Sequence, residues 1–336
     1  MWRGSNAGGL FRALSRESQL IEVLDEFYYV SLRSETKKLK IAERLIRKWQ
    51  EDEFNRTIRQ QIDILKPDVV LVYKGVFVQA ATLQYARSKS SKLALFYPDV
   101  SVTAHGGNIP QCIPLYDIIF TTKTFGIGDM RAKYNVKNVI FVPHGFDPDI
   151  HRPLKVTSKD RDIFGCDASF IGIWSPKKEK YLAKVKEAMP DIKMKIWGGQ
   201  WEKCTTDILK SSIQGVQVIG DLYAMAIQCS SINMGILSEQ VSGASSGDLI
   251  TSRTFHIPGA SGFMLHERNK ESVLYYEEDK EAGFFETPEE LATVTARYLK
   301  DEASRDKVRM AGHKRAVAEH SLDARARVII EHLSNL

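Results

Sequence analysis

Across 336 residues the sequence holds four cysteines, at 112, 166, 204 and 229, and no two stand at CxxC spacing. This excludes a disulfide framework and a Cys/His metal site as organising features, and free thiols in a reducing compartment are expected. No apolar run approaches the ~18 residues that would suggest a membrane span. The opening Met1-Trp2-Arg3-Gly4-Ser5-Asn6 has no apolar core of a secretory signal, so a cytoplasmic location is expected. Low-complexity tracts and short repeats are also lacking, which excludes solenoid and fibrous architectures.

Hydrophobic residues make up 43% of the chain and charged residues 26%, the balance of a soluble globular protein. The length suggests two domains. The net charge of +5 is concentrated at one end: residues 1–154 hold 22 Lys/Arg against 16 Asp/Glu, and the remainder 25 against 26. Such a basic first half suits an anionic partner, although an ordinary solvated surface reads the same way.

Short apolar runs alternate with longer amphipathic ones, the pattern of an α/β protein with parallel sheets. Strands are expected at 68–73, 92–97, 116–121 and 138–143, with helices at 37–64, 77–89 and 125–134 between them. The polar stretch 148–162 reads as a linker. A second series follows, with strands at 167–173, 192–197, 216–219, 232–236 and 262–266. Its helices are expected at 176–189, 202–211, 222–230, 251–259, 288–300, 302–319 and 322–335. The chain opens directly on a glycine-containing turn (Gly4, Gly8, Gly9), with no strand before it, and Phe11-Arg12-Ala13-Leu14 reads as the following helix.

In open α/β sheets, ligands bind beyond the carboxyl ends of strands, and five loops of this kind carry chemistry. In Phe170-Ile171-Gly172-Ile173-Trp174-Ser175-Pro176-Lys177-Lys178 a strand ends near a glycine and a helix opens beside two lysines, a cradle for a diphosphate or simply a tight turn. The segment from Gly247 to Gly262 combines Asp248, Arg253, Thr254 and His256, suited to phosphate or ribose. Trp197-Gly198-Gly199 could wall a base pocket or fill the core. His144 and Asp147 follow the last strand of the first half. Asp99 and His105 lie in a loop where either could exchange a proton with an acceptor hydroxyl.

Val72-Tyr73-Lys74-Gly75, Thr121-Thr122-Lys123, Phe141-Val142-Pro143-His144-Gly145-Phe146-Asp147-Pro148, Phe170-Ile171-Gly172 and Ser252–Leu265 occur in an order and spacing that resemble the glycosyltransferases grouped with spore maturation protein CgeB, relatives of retaining glycosyltransferase family 4. The resemblance covers most of residues 2–320. It implies a GT-B fold, with two Rossmann-like domains facing across a cleft. An acceptor domain would span 1–154 and a nucleotide-sugar donor domain 155–320, with a terminal helix at 321–336 that could pack back on the first domain. The donor would be a nucleoside-diphosphate sugar, a UDP-sugar first among them, and no metal would be required. By that analogy Gly172, Lys177, Lys178 and Arg253 lie near the diphosphate, the helix start at Thr254 lies under the donor, and Trp197, Gly198 and Tyr223 line the base pocket. Asp99, His144 and Asp248 are the candidate catalytic residues. The family usually carries two glutamates eight positions apart, the second at the ribose; here those positions are Asp248 and His256.

The expected activity is transfer of a sugar to a hydroxyl acceptor, a glycan or other polymer. Glycosylation of a nucleobase in DNA, a nucleotide-sugar epimerase and a non-catalytic nucleotide-sugar binder share the same fold. Lys37, Lys38, Lys40, Arg44, Arg47 and Lys48 mark a basic amphipathic helix for the first of these, or for peripheral membrane contact.

Overall fold

The computed structural model describes residues 3–18, 21–30 and 39–336. In chain order the elements are α1 (Asn6–Glu17), α2 (Leu39–Leu65), β1 (Val69–Tyr73), α3 (Ala80–Ser88), β2 (Lys92–Tyr97), α4 (Asn108–Cys112), β3 (Ile118–Thr121), α5 (Thr124–Tyr134) and β4 (Val139–Phe141). There follow α6 (Ser158–Phe164), β5 (Cys166–Ile171), α7 (Pro176–Ala188), β6 (Met194–Trp197), α8 (Asp207–Lys210), α9 (Asp221–Gln228), β7 (Ser230–Gly235), α10 (Ser252–Gly259), β8 (Met264–Glu267) and β9 (Gly283–Phe285). Three helices close the chain: α11 (Pro288–Lys300), α12 (Glu302–Glu319) and α13 (Leu322–Ser334).

The strands form two wholly parallel sheets, ordered β1-β2-β3-β4 and β6-β5-β7-β8-β9. Central strands such as β3 are buried along their whole length, because helices cover both faces. On one face of the first sheet Leu83, Leu95, Ile109 and Ile119 join α3, α4 and the inner side of α2. On the other, Leu10, Ala13 and Leu14 of α1 and Leu322, Ala326 and Ile329 of α13 pack against Ala94, Phe96 and Phe120. Each fully buried Leu, Ile or Phe side chain contributes ~1.5–3 kcal/mol relative to leaving it in water. The final helix therefore sits with the first sheet, although its chain arrives from the second. The chain crosses between the halves twice, and the crossings bond to each other: Phe146 N–H donates to His320 O at 3.0 Å and Leu322 N–H to Phe146 O at 2.8 Å.

Several expectations need correction. Residues 216–219 form no strand. Gly215 and Gly220 at either end take positive φ, and Val216 and Ile219 lie exposed, so only one backbone bond, Gly198 N–H to Val216 O, ties the segment to β6. The 202–211 helix is reduced to a 3-10 turn at Trp201–Lys203 and the short α8. The break is held by Glu179, whose Oε1 accepts from the N–H and hydroxyl groups of Thr205 and Thr206. The 148–162 segment contains the start of α6, where Thr157 and Asp160 form a reciprocal capping box. Strand β9 is three fully buried residues, too short to show a period. Among the described residues no strand precedes β1, and the glycine turn leads straight into α1. Of the basic helix, Lys37 and Lys38 lie outside the described residues, as do the side chains of Lys40 and Arg44; Lys48 is exposed and pairs with Asp52. No helix among the described residues is long and apolar enough to cross a membrane.

Candidate active site

A cleft runs between the carboxyl edges of the two sheets. From the first half it is lined by Asn6, Lys74, Asp99, His105, Lys123 and His144, and from the second by Lys178, Ser238, Asp248, Ser252 and Arg253. Two helices, α1 and α10, open onto it, and a third, α7, reaches it through Lys178. Helix α1 starts after Ser5, whose Oγ accepts from Gly8 N–H. Helix α10 starts after Thr251, whose N–H donates to Thr254 Oγ1 at 3.1 Å and whose carbonyl accepts from Thr254 N–H. Helix α7 starts after Ser175 with Pro176 in its first turn, a position where the missing N–H costs nothing. First-turn N–H groups and the helix dipoles bias such a space toward anions.

The turn after β5 and the segment leading into α10 meet. Arg253 Nη1 donates to Ile171 O at 3.3 Å and Nη2 to Ile236 O at 2.8 Å, and its guanidinium lies over the Phe170 ring. Two strand ends thus fix this cation at the mouth of the second sheet. Lys178 is 5% exposed, and its Nζ donates to Ile173 O and Ser238 Oγ. Burial, with help from the nearby Arg253 charge, pushes its ammonium down to about 8.

The opposite wall is also charged. Asp99 receives Lys74 Nζ at 2.7 Å and His105 Nε2 at 2.9 Å. Burial alone would raise the Asp99 carboxyl, but the His105 hydrogen bond and the Lys74 charge outweigh it and hold the group well below the ordinary carboxylate range. His144 Nδ1 stands 3.4 Å from Ser252 Oγ of α10, and burial followed by the Lys123 charge keeps its imidazole neutral far below the usual range. Between the walls Lys123 Nζ reaches Asp248 Oδ1 at 2.5 Å and Ile250 O at 3.3 Å.

The cleft therefore gathers Asp99, His144, Asp248, Lys178 and Arg253 from the expected set. Gly172 and Gly198 stand behind Arg253 and serve its backing wall: a Cβ on Gly172 would lie 2.7 Å from Arg253 Nη1, and one on Gly198 would lie 2.1 Å from Gly172 O. Other expected residues lie elsewhere. Lys177 is tied to Glu267 at 2.6 Å. Trp197 is buried with Val218 and Ala226 instead of walling a pocket, because its strand is flanked by apolar neighbours on that side. Thr254 is buried and bonded to His266 Nε2 at 2.8 Å. His256 stacks on His151 with ring centroids 3.7 Å apart, and Tyr223 meets both rings edge-on. Helix α10 turns position 256 inward, toward the seam beneath the cleft.

Lys123 lies outside the expected set of site residues. It stands two residues past β3, as the residue before α5, where the rule that ligands collect beyond strand ends points. Its partner across the cleft could not be read from order in the chain.

A family model described as glycosyl transferase-like matches residues 177–331. No curated protein sequence matches the chain. Among solved structures, the chain is similar to sucrose-phosphate synthase from Thermosynechococcus elongatus (TM-score 0.63, 9% identity, covering 85% of this chain and 78% of that one). It is also similar to a glycosyltransferase from Rickettsia africae (TM-score 0.62, 11% identity, 97% and 87%). A third is HepE from Anabaena, solved with UDP and glucose (TM-score 0.63, 10% identity, 85% and 82%). At such identities these likenesses establish the fold: two parallel-sheet halves arranged as in GT-B glycosyltransferases.

Proposed function

We propose that the chain transfers a sugar from a nucleoside-diphosphate donor, held by the second half, to a hydroxyl acceptor presented by the first. The observation that carries this reading is the convergence of Arg253 and Lys178 with the opening turns of α1 and α10 on one cleft. Negative charge grows on the leaving diphosphate as the bond to the sugar breaks, and cations and N–H groups already aimed at that position lower the barrier. The same groups can balance the diphosphate without a metal. That HepE was solved with UDP makes a UDP-sugar the first donor to try.

On the acceptor side, Asp99 stays ionised and His144 neutral near pH 7. Neither is tuned to a value near 7, as an efficient general base would be. Asp99 accordingly holds Lys74 and His105 in place, and His144 offers a neutral ring to a sugar hydroxyl. Asp248, fixed by Lys123, lies at the junction where donor and acceptor meet. Kinship with the CgeB-like enzymes would add retention of the anomeric configuration.

A thermal-shift screen with UDP, GDP, ADP, CMP and dTDP and their sugars tests the reading, since a ligand that binds only the native state raises its melting temperature. A shift with one nucleotide, followed by slow release of nucleoside diphosphate from its sugar, supports transfer. Binding without turnover on any acceptor would mark a nucleotide-sugar binder instead, and no shift with any of them would sink the reading.

A further inference from the structure

Between β7 and α10 the chain makes a long excursion, residues 237–251. Its middle, 239–246, is mostly exposed. Its two ends close on each other: Asp248 N–H donates to Ser238 O at 3.0 Å, and Gly247 packs on the backbone of Ser238 to Gln240. The tip crosses to the first half, where Ser245 N–H donates to Asp129 Oδ2 at 2.9 Å and Gly243 lies against Thr103 and Ser101. The excursion is thus a strap between the two halves, with Ser238 and Asp248 at its base lining the cleft.

At the base of the strap Glu239 turns back to α7. Its Oε1 accepts from Lys177 N–H at 3.0 Å, and the Lys178 charge attracts its carboxylate. Ser175 and Pro176 already begin this helix well, so a cap from a distant loop is not needed to form it. A carboxylate bonded to a first-turn N–H beside a buried lysine has the charge and bonding of a phosphate oxygen. Lys178 also bonds the strap directly, through Ser238 Oγ at 3.0 Å.

We propose that Glu239 is an internal competitor for the donor's phosphate, and that the strap releases α7 when a nucleoside diphosphate binds. This rests on the sugar-transfer reading above. The diphosphate takes the Lys177 N–H and Lys178 from Glu239, and the strap loses its anchor on the second half. Few buried apolar contacts hold residues 239–246, so the cost of moving them is small. The same competition lets the strap return and expel the nucleoside diphosphate after transfer, which makes Glu239 a residue that sets the balance between donor capture and product release.

The test measures binding of UDP and inorganic pyrophosphate to wild type and Glu239→Gln by calorimetry at fixed ionic strength. Glutamine still accepts from Lys177 N–H but carries no charge, so pyrophosphate should bind on the order of tenfold more tightly to the variant. In parallel, hydrogen exchange of residues 239–247 is followed in wild type, and it should speed up when pyrophosphate saturates the protein. Equal affinities overturn the proposal. Should the variant fail to fold, unchanged exchange of the wild-type strap overturns it alone. If wild type binds UDP while the strap stays protected, only the role of Glu239 falls; if folded wild type and variant bind neither probe nor any other nucleoside diphosphate, the sugar-transfer reading falls with it.

Discussion

Lys123 and Asp248, 125 positions apart, form a buried ion pair at 2.5 Å in which one partner belongs to each half of the molecule. Side-chain exposures of 4% and 10% mean that both charges have left water, an arrangement that rarely adds net stability over an apolar pair. The pair is explained by what it positions: a carboxylate fixed at the centre of the cleft only when the halves are together. Replacing Lys123 by Met leaves Asp248 buried and unpaired. Thermal or denaturant unfolding should show a loss of about 3–5 kcal/mol. The double variant Lys123→Met with Asp248→Leu should recover part of that loss while donor turnover stays abolished. Recovery of turnover in the double variant would show the pair to be structural.

On the proposed reading, Lys178 gives diphosphate binding a pH limit. Its folded value of about 8 lies below the ordinary 10.5, so the folded chain releases this proton earlier than the unfolded one. The stability penalty of holding it charged is present in full below pH 8 and is relieved as pH rises toward 10.5. Diphosphate binding should run the opposite way. It should be level below pH 8 and then weaken by up to about tenfold per pH unit, with proton uptake on binding near pH 8–9. Calorimetry in buffers of different ionisation enthalpy measures that uptake, and Lys178→Arg should remove it.

The buried histidines predict acid sensitivity. Burial pushes His151 down to about 3 and His266 and His320 to about 4, and it drives His144 and His256 well below the ordinary 6.5. The unfolded chain takes up these protons as pH falls through 6.5 and the folded chain does not, so stability is complete above 6.5 and declines below it. Each histidine adds a slope of up to about 1.4 kcal/mol per pH unit. His256→Phe keeps a ring against His151 and Tyr223 and removes one titrating group. Its stability should therefore fall less steeply between pH 6 and 5, measured by chemical unfolding at each pH; an unaltered slope would mean that His256 is not neutral in the native state.

Two glycines separate folding from binding. Gly198 has φ +134°, and a Cβ there would meet Gly172 O at 2.1 Å. Gly198→Ala should destabilise the second half by about 3 kcal/mol or more. At Gly172 the obstacle is a side chain, Arg253 Nη1 at 2.7 Å, together with the Phe170 ring. Gly172→Ala should shift the guanidinium and weaken UDP binding more than it lowers the melting temperature. The two losses are compared by titration calorimetry and differential scanning calorimetry.

What was legible in the sequence was local. Runs such as Leu93-Ala94-Leu95-Phe96 are short and apolar throughout, which favours a central parallel strand, and Ser175-Pro176 and Thr287-Pro288 favour the start of a helix. Most strands and helices, and the placing of Asp99 and His144 just past strand ends and of Lys178 and Arg253 in the first turns of helices, follow from that. The tertiary structure alone decided which of these meet. Arg253 and His256 stand on neighbouring positions of α10, yet Arg253 reaches back to Ile171 and Ile236 at the cleft while His256, most of a turn further along, stacks on His151. Lys177 and Lys178, adjacent in sequence, diverge to Glu267 and to the cleft. Partners such as Lys123 with Asp248, or Glu239 with the N-terminus of α7, join distant segments, and their pairing depends on how two separately built sheets come to rest against each other.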